Sequence, residues 1–109
     1  MNIDEETNKK IQDLQLMEQS FQNLLLQKQT FQVEANETGT SLEEIDKSKG
    51  DTYRVFGHVM IKADKNSLKK ELNEKKELLA LRLKAIEKQE LSLREEIERL
   101  RAGIMEKIK

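Results

Sequence analysis

One stretch of the sequence, residues 52–63, has the composition of β-strands, and long segments with the composition of helices lie on both sides of it. β-Branched and aromatic residues dominate this stretch. Apolar side chains recur in it at every second position, as a pleated strand requires; they are Tyr53 and Val55, and then Val59 and Ile61. Any fold of this chain must therefore place a small extended element between two helical ones.

Gly57 divides this stretch into two strands. A tight two-residue turn needs a positive φ at its first central position, and glycine adopts that conformation without strain. With Gly57 and His58 as the two turn residues, Phe56 lies opposite Val59. The sequence therefore predicts a β-hairpin over residues 52–63. The alternative is a tight connector that is only locally extended.

A single hairpin is marginally stable in water, and its two edges have unpaired backbone groups that attract other strands. The rest of the sequence contains no further strand-like segment to cover those edges. We therefore expect the hairpin to pair with the hairpins of other subunits and to act as an assembly element.

The segment before the hairpin has a heptad pattern, which predicts a helix over about residues 4–47. We call the line of side chains spaced alternately by three and four residues the seam of that helix. Its members are Thr7, Lys10, Leu14, Met17, Phe21, Leu24, Lys28, Phe31, Ala35, Thr38, Leu42 and Ile45. Because the last two stay in phase beyond Gly39, we expect one continuous helix. The alternative is a helix that ends at Gly39 and restarts with a capping box at Ser41.

The segment after the hairpin predicts a second helix over about residues 66–108, capped by Asn66 or Asp64. Its seam is Lys69, Leu72, Lys76, Leu79, Leu83, Ile86, Glu90, Leu93, Ile97, Leu100 and Ile104. The hairpin reverses the chain, so the two seams are expected to pack as an antiparallel coiled coil. A register that pairs Ile45 with the layer of Lys69 to Leu72 brings Lys28 near Glu90, and we expect Lys28 and Glu90 to form a polar layer that fixes the register. The alternative is that both side chains extend separately into solvent.

Composition supports a mainly helical fold of one domain, residues 1–109, and excludes several classes of function. Charged residues make up 38% of the chain and aromatic residues only 4%, which is too little bulky apolar material for an ordinary globular core. The net charge is −1, with both signs mixed, so we expect no nucleic-acid partner and no membrane surface. No apolar run is long enough to cross a bilayer. The acidic first residues lack the pattern of a signal peptide, which favours a cytoplasmic protein.

The sequence also lacks the groups that catalysis or cofactor binding needs. It has no cysteine, its only histidine is His58 in the predicted turn, and its glycines do not form a phosphate-binding loop. A two-helix coiled coil has no interior beyond its seam in which reacting groups could converge. We therefore predict that the chain is not an enzyme and has no catalytic residues, cofactor or metal site.

Apolar residues are also frequent near the two chain ends. They include Ile3, Ile11, Leu14 and Met17 at one end, and Leu100, Ile104, Met105 and Ile108 at the other. Helix ends fray because their terminal backbone groups lack partners. Frayed ends would expose Ile3, Met105 and Ile108, which lie outside the seams, as an adaptable apolar surface. The alternative is that these residues are ordinary last layers of the seams.

With these features the sequence resembles a known family, the prefoldin beta subunits, and most closely their archaeal form. The resemblance covers nearly the whole chain, and the order of helix, glycine-centred hairpin and helix is its most specific part. The matching segments are residues 27–30, 36–38 and 42–45, the hairpin residues 53–61, and the pairs Glu71-Leu72, Glu74-Lys75, Leu81-Arg82, Ile86-Glu87 and Gln89-Glu90. Gly39 and His58 depart from the residues expected at those positions, which affects only local helix and turn geometry.

The resemblance implies a subunit of an ATP-independent chaperone. In that family two alpha and four beta subunits form a hexamer, whose hairpins build a β-barrel base from which coiled-coil arms extend. The distal tips hold unfolded client proteins and deliver them to a group II chaperonin. Carried onto this chain, the assembly residues are Tyr53, Val55, Phe56, Val59 and Ile61, and the client-binding residues are Ile3, Ile11, Leu14, Leu100, Ile104, Met105 and Ile108. The alternative function is that of a structural coiled-coil adaptor that binds one folded partner.

Overall fold

In a computed structural model, residues 4–108 are described, and their elements follow the order helix, strand, strand, helix. The elements are α1 (Glu5–Lys47), β1 (Thr52–Phe56), β2 (Val59–Ala63) and α2 (Lys65–Ile108). This order confirms the predicted fold class of two long helices with a hairpin between them. One of the predicted client-binding residues, Ile3, lies outside the described residues.

Helix α1 begins at a side-chain cap and continues without interruption. A carboxylate oxygen of Asp4 accepts a 2.7 Å hydrogen bond from the backbone N–H of Thr7, and this bond satisfies one of the free donors in the first turn. The helix runs through Gly39 to Lys47. The alternative of a second helix starting at Ser41 is therefore wrong, because the seam stays in phase on both sides of the glycine.

Helix α2 is capped in the same way. A carboxylate oxygen of Asp64 accepts a 2.9 Å hydrogen bond from the backbone N–H of Ser67, and the Asp64 carbonyl accepts one of 3.0 Å from Leu68. Of the two predicted caps, Asp64 is the one used, and Asn66 lies inside the helix. The helix consequently begins at Lys65, one residue before the predicted start.

The hairpin has the predicted turn. Strands β1 and β2 are antiparallel, and Phe56 pairs with Val59. Gly57 has a φ of 59°, and no residue other than glycine has a positive φ in the part of the chain that the structure describes. A positive φ at the first central position alone is the pattern of a type II′ turn, whose twist matches that of the strands. At the open end of the hairpin, the Thr52 hydroxyl donates a 2.7 Å hydrogen bond to the Ala63 carbonyl.

The chain divides into two compact units, and the first comprises described residues 4–29 and 84–108. Within it, α1 and α2 are antiparallel, because Glu18 pairs with Arg101 at 3.0 Å and Lys28 pairs with Glu90 at 2.9 Å. The most buried side chains of this unit all occupy predicted seam positions; they are Thr7, Ile86, Ile97 and Ile104. Its seam is therefore the one that the heptad spacing predicts.

The second unit comprises residues 30–83 and includes the hairpin. Its buried apolar side chains are Leu42, Leu68 and Leu79. Asp46 and Lys69 form an ion pair of 2.5 Å, which confirms the predicted neighbourhood of the end of α1 and the start of α2. The predicted seam differs from the burial pattern at two positions: Lys76, a seam member, is exposed, and Leu68, which the seam omitted, is buried. A leucine beside the helix start is cheaper to bury than a lysine, whose ammonium stays in water.

Candidate interaction surfaces

The hairpin exposes large apolar side chains on both of its faces. Residues paired across an antiparallel sheet point to the same side. One face therefore carries Tyr53 and Val55 together with their strand partners Lys62 and Met60. The opposite face carries Phe56, Val59 and Ile61, together with Arg54. The five predicted assembly residues are thus divided between the two faces.

None of these apolar hairpin side chains is covered within the chain. Tyr53, Val55, Phe56, Val59, Met60 and Ile61 are each between 47% and 66% exposed. Contiguous exposed apolar surface of this kind marks an interaction site in soluble proteins. Met60, which the sequence prediction omitted, belongs to the surface because it pairs with Val55. The alternation in the sequence identified Tyr53 and Val55 of β1 and Val59 and Ile61 of β2. It did not identify Met60, because Met60 joins this surface only through its position opposite Val55.

Ion pairs hold the hairpin to the helix that follows it. The Arg54 guanidinium donates a hydrogen bond to a carboxylate oxygen of Glu71 on α2. Lys62 lies 3.6 Å from Asp51 in the connector before β1. The Lys65 ammonium donates a 2.7 Å hydrogen bond to the Ser48 carbonyl, and it thereby ties the start of α2 to the same connector. These contacts tie the hairpin, which carries the exposed apolar side chains, to α2 and to the connector before β1.

A polar layer interrupts the seam of the first unit. The Lys28 ammonium donates a 2.9 Å hydrogen bond to a carboxylate oxygen of Glu90, and the second oxygen of Glu90 accepts a 3.3 Å hydrogen bond from Arg94. The Arg94 guanidinium also lies 5.5 Å from the centre of the Phe21 ring, within the range of a cation–π contact. These contacts confirm the predicted meeting of Lys28 and Glu90. The arginine and its aromatic neighbour are additions that the heptad pattern did not reveal.

The residues near the chain ends have unequal exposure. Ile104 is buried, Ile11, Leu14, Leu100 and Ile108 are half-buried, and Met105 is 55% exposed. Leu14, Leu100 and Ile104 are seam members, Ile11 and Ile108 are half-buried outside the seams, and Met105 is the described member that is exposed. Ile3 belongs to the residues that the structure does not describe. Of the predicted client-binding residues that the structure describes, Met105 is exposed to solvent, and the others are half-buried or buried.

Charge also gathers at this end of the first unit. The Thr7 hydroxyl and backbone N–H hydrogen-bond to the Asp4 carboxylate and lower its pKa below the usual value for aspartate, and Lys107 and Lys10 add smaller effects in the same direction. Asp4 is therefore ionised at neutral pH and caps α1 as an anion, which the positive end of the helix dipole favours. The cap therefore stabilises the first turn of α1 at neutral pH.

The described residues contain neither a cluster of metal ligands nor a membrane-spanning helix. Over residues 4–108, no group of three or more His, Cys, Asp or Glu side chains has an arrangement that would hold a metal ion. Neither described helix has a stretch long and apolar enough to cross a membrane.

Comparisons with known proteins agree with this architecture. The profile of a family described as “Prefoldin subunit” matches residues 8–109. A prefoldin subunit beta of Saccharolobus islandicus is 38% identical over 103 residues, which cover 93% of this chain and 82% of that protein. The prefoldin subunit beta of Thermococcus onnurineus is 37% identical over 101 residues, which cover 91% of this chain and 87% of the relative.

Two solved structures are similar to the whole fold. The crystal structure of the prefoldin beta subunit from Thermococcus strain KS-1 matches with a TM-score of 0.86 and 33% identity, over 96% of this chain and 94% of that one. The beta2 subunit from the same strain matches with a TM-score of 0.70 over 80% of this chain and 95% of that one. Its identity is only 16%, so this second match supports the fold alone.

Proposed function

Because the chain belongs to the prefoldin subunit family and is similar to its beta subunits, we propose that it is a subunit of an ATP-independent holdase. The holdase captures unfolded proteins at hydrophobic coiled-coil tips and delivers them to a group II chaperonin. Membership of the prefoldin family implies a chaperone role, and the subunits of this family are not enzymes. The observation in this chain that supports the proposal best is a hairpin with exposed apolar side chains on both faces.

The assembly that we propose is a hexamer of two alpha-type subunits and four copies of this chain, each acting as a single prefoldin-like domain. The hairpins join edge to edge in an intersubunit β-barrel. Two features support this arrangement. The edges of a two-stranded sheet have backbone groups available for further pairing, and Tyr53, Val55, Phe56, Val59 and Ile61 would become buried when a barrel closes and packs.

The client-binding surface that we propose lies near the chain ends. Its residues are Ile3, Ile11, Leu14, Leu100, Ile104, Met105 and Ile108. Met105, already exposed, is the first point of contact, and the half-buried residues become accessible when the helix ends fray. A few hundred Å² of apolar contact at each tip would contribute only several kcal/mol, at about 25 cal/mol per Å², before the entropy of binding is subtracted. Several tips acting together convert such weak contacts into avidity without a nucleotide cycle.

We further propose that this chaperone acts in the cytoplasm. The absence of cysteine from the sequence suits a reducing compartment, because the chain needs no disulfide for its stability.

The test of this proposal compares two substitutions on the same helix. Met105→Glu places a charge at the proposed tip, and Leu91→Glu places the same charge two heptads earlier on the same side of α2. The two side chains are 55% and 59% exposed, so the variants are matched in environment. Suppression of the aggregation of a chemically unfolded enzyme is measured with each assembled protein. We expect Met105→Glu to lose most of this activity and Leu91→Glu to keep it.

The native mass of the chain isolated with its natural partners tests the assembly. A particle of about six subunits, with a second related chain present, supports the proposal. One stoichiometric folded partner, together with indifference to unfolded proteins, would instead establish the adaptor function.

A further inference from the structure

One layer of the second unit receives no buried residue from α2. Along this helix, from Lys65 to Ile108, a buried or half-buried residue recurs within every three or four positions, with one interruption. The interruption lies between Leu72 and Leu79, where all six residues, 73–78, are exposed. Over about 10 Å of its length, at 1.5 Å per residue, α2 therefore contributes nothing buried to the seam.

Lys76 occupies the seam position inside this interruption. A lysine ammonium is costly to bury without a partner, so the side chain stays in water. Among residues 4–108, no carboxylate forms an ion pair with Lys76. The other seam lysines each have such a partner; the pairs are Lys10–Glu6, Lys28–Glu90 and Lys69–Asp46. The seam thus has one lysine whose charge nothing in the chain compensates.

The segment of α1 that faces the interruption consists of weak helix formers. Asp46 pairs with Lys69 on one side of the interruption, and Phe31 lies beneath the Arg82 guanidinium on the other. Because the helices are antiparallel, residues 38–41 lie opposite the exposed stretch of α2. Threonine, glycine, threonine and serine occupy these four positions, and all of them have lower helix propensity than alanine, leucine, glutamate or lysine. Both helices are therefore weak at the same level.

Thr38 is buried in this layer, but its hydroxyl does not bond to α2. The hydroxyl donates a 2.8 Å hydrogen bond to the Glu34 carbonyl, one turn earlier in its own helix. A hydroxyl bonded in this way competes with the backbone and tends to bend a helix. The next residue, Gly39, has no side chain to fill the layer. Within the layer, no hydrogen bond or ion pair of the described residues joins α1 to α2.

The layers on either side are well packed. Leu42 and Leu68 are each 8% exposed on the side of the hairpin, and Leu79 is 3% exposed on the other side. Proteins open locally where few apolar contacts are buried and where the backbone is accessible to water. In the second unit, the layer between these leucines meets both conditions, whereas its neighbours do not.

We infer that residues 38–41 and 73–78 form a weak joint, at which the two helices of the second unit separate and bend while the flanking layers stay packed. The joint lies between the hairpin, with its layer of Leu42 and Leu68, and the layer of Leu79. Bending at the joint changes the direction of the hairpin relative to that next layer. This conformational device goes beyond the proposed function, which does not require it.

Hydrogen–deuterium exchange of the assembled protein, followed by mass spectrometry, tests the joint. We expect the amides of residues 38–41 and 73–78 to exchange faster than those of the flanking turns, and faster than those beside the Lys28–Glu90 layer, which is polar but paired. Lys76→Leu places an apolar side chain at the seam position and should slow exchange in both segments roughly tenfold. The matched control, Lys70→Leu, makes the same change at an exposed position outside the seam and should leave the exchange unchanged.

Three results would overturn the inference. If residues 38–41 and 73–78 are as well protected as the flanking turns, the helices do not separate there. If Lys76→Leu leaves fast exchange unchanged, the gap in the seam is not its cause. If Lys70→Leu slows exchange as much as Lys76→Leu, the loss of a positive charge explains the effect and the filling of the layer does not. The holdase assay with Met105→Glu is independent of these measurements, so the proposed function stands if the joint fails.

Discussion

Lys28 and Glu90, 62 residues apart in the sequence, meet in the seam of the first unit through a 2.9 Å hydrogen bond. Their side chains are 24% and 14% exposed, so water screens the pair only in part. A charge at this depth is tolerable only when its partner lies opposite it, which makes one helix register preferable to its neighbours.

Removing one member of this pair should destabilise the protein. In Lys28→Met, the Glu90 carboxylate loses its nearest cation, and we expect a loss of about 1–2 kcal/mol, less than for a fully buried pair. Arg101→Gln is the matched control, since the Arg101–Glu18 pair is more exposed and should contribute less than about 1 kcal/mol. Thermal unfolding of both variants, compared at equal assembly state, measures the difference. Equal losses would show that the depth of the pair has no effect.

Replacing Gly39 by alanine should stabilise α1. The residue lies inside a continuous helix, and a Cβ added there meets nothing within 4 Å. The expected gain is about 0.5–1 kcal/mol, because glycine loses more backbone entropy than alanine in a helix. Urea unfolding measures it. A loss of stability or of native mass in Gly39→Ala would instead show that another subunit occupies the space beside this residue.

Gly57→Ala should have the opposite effect. A Cβ at Gly57 also meets nothing within 4 Å, but the backbone φ is +59°, where L-residues are strained. We expect a loss of about 1 kcal/mol from this substitution. Urea unfolding of the two glycine variants side by side separates backbone strain from steric contact. An unchanged stability of Gly57→Ala would contradict the role assigned to the turn.

Asp4 and Asp46 should make stability depend on pH in the acid range. Hydrogen bonding to Thr7 lowers the pKa of Asp4, and hydrogen bonding to Lys69 lowers that of Asp46. Because both values are lower in the folded state, their contribution is complete above the unfolded value of about 3.9 and is lost as the pH falls through the folded pKa. Asp4→Asn keeps a side chain that caps helices but does not titrate. Its unfolding curve should therefore depend less on pH below about pH 4 than that of the unmodified protein. An identical pH dependence would contradict the effect assigned to Asp4.

Charges placed on either face of the hairpin should impair assembly without unfolding the helices. Val55→Glu alters one face and Ile61→Glu alters the other. If both faces become buried in the assembled barrel, each variant should shift the native mass to smaller species while the far-ultraviolet circular dichroism per residue is retained. Leu91→Glu serves as the control for adding a charge at an exposed apolar position. An effect on one face only would mean that the other face stays in solvent.

The sequence predicts most of this fold because its helices follow simple periodic rules. The three-and-four spacing placed Lys28 and Glu90 in opposite seams, and their contact followed once the hairpin reversed the chain. Gly57 identified the turn because only glycine accepts the φ that the turn needs. At Lys76 and Leu68 the rule failed, because strict periodicity takes no account of the cost of burying the Lys76 ammonium, and it leaves out an apolar residue such as Leu68 that lies beside the repeat.

The candidate surfaces were less predictable than the fold. Tyr53 and Ile61 share the alternation of a strand, yet a two-residue turn places them on opposite faces, and this follows only from the cross-strand register. Ile104 and Met105 are adjacent and both apolar, but one is buried and the other exposed, since they point in different directions from one helix.

The exposed apolar side chains on both faces of the hairpin matter most for copies of the chain that have not assembled. A copy of this chain that has found no partner displays the kind of surface that chaperones and quality-control proteases recognise. In the assembly that we propose, unpartnered copies would compete with unfolded proteins for the same particles, so the cell would need to balance the synthesis of the two subunit types.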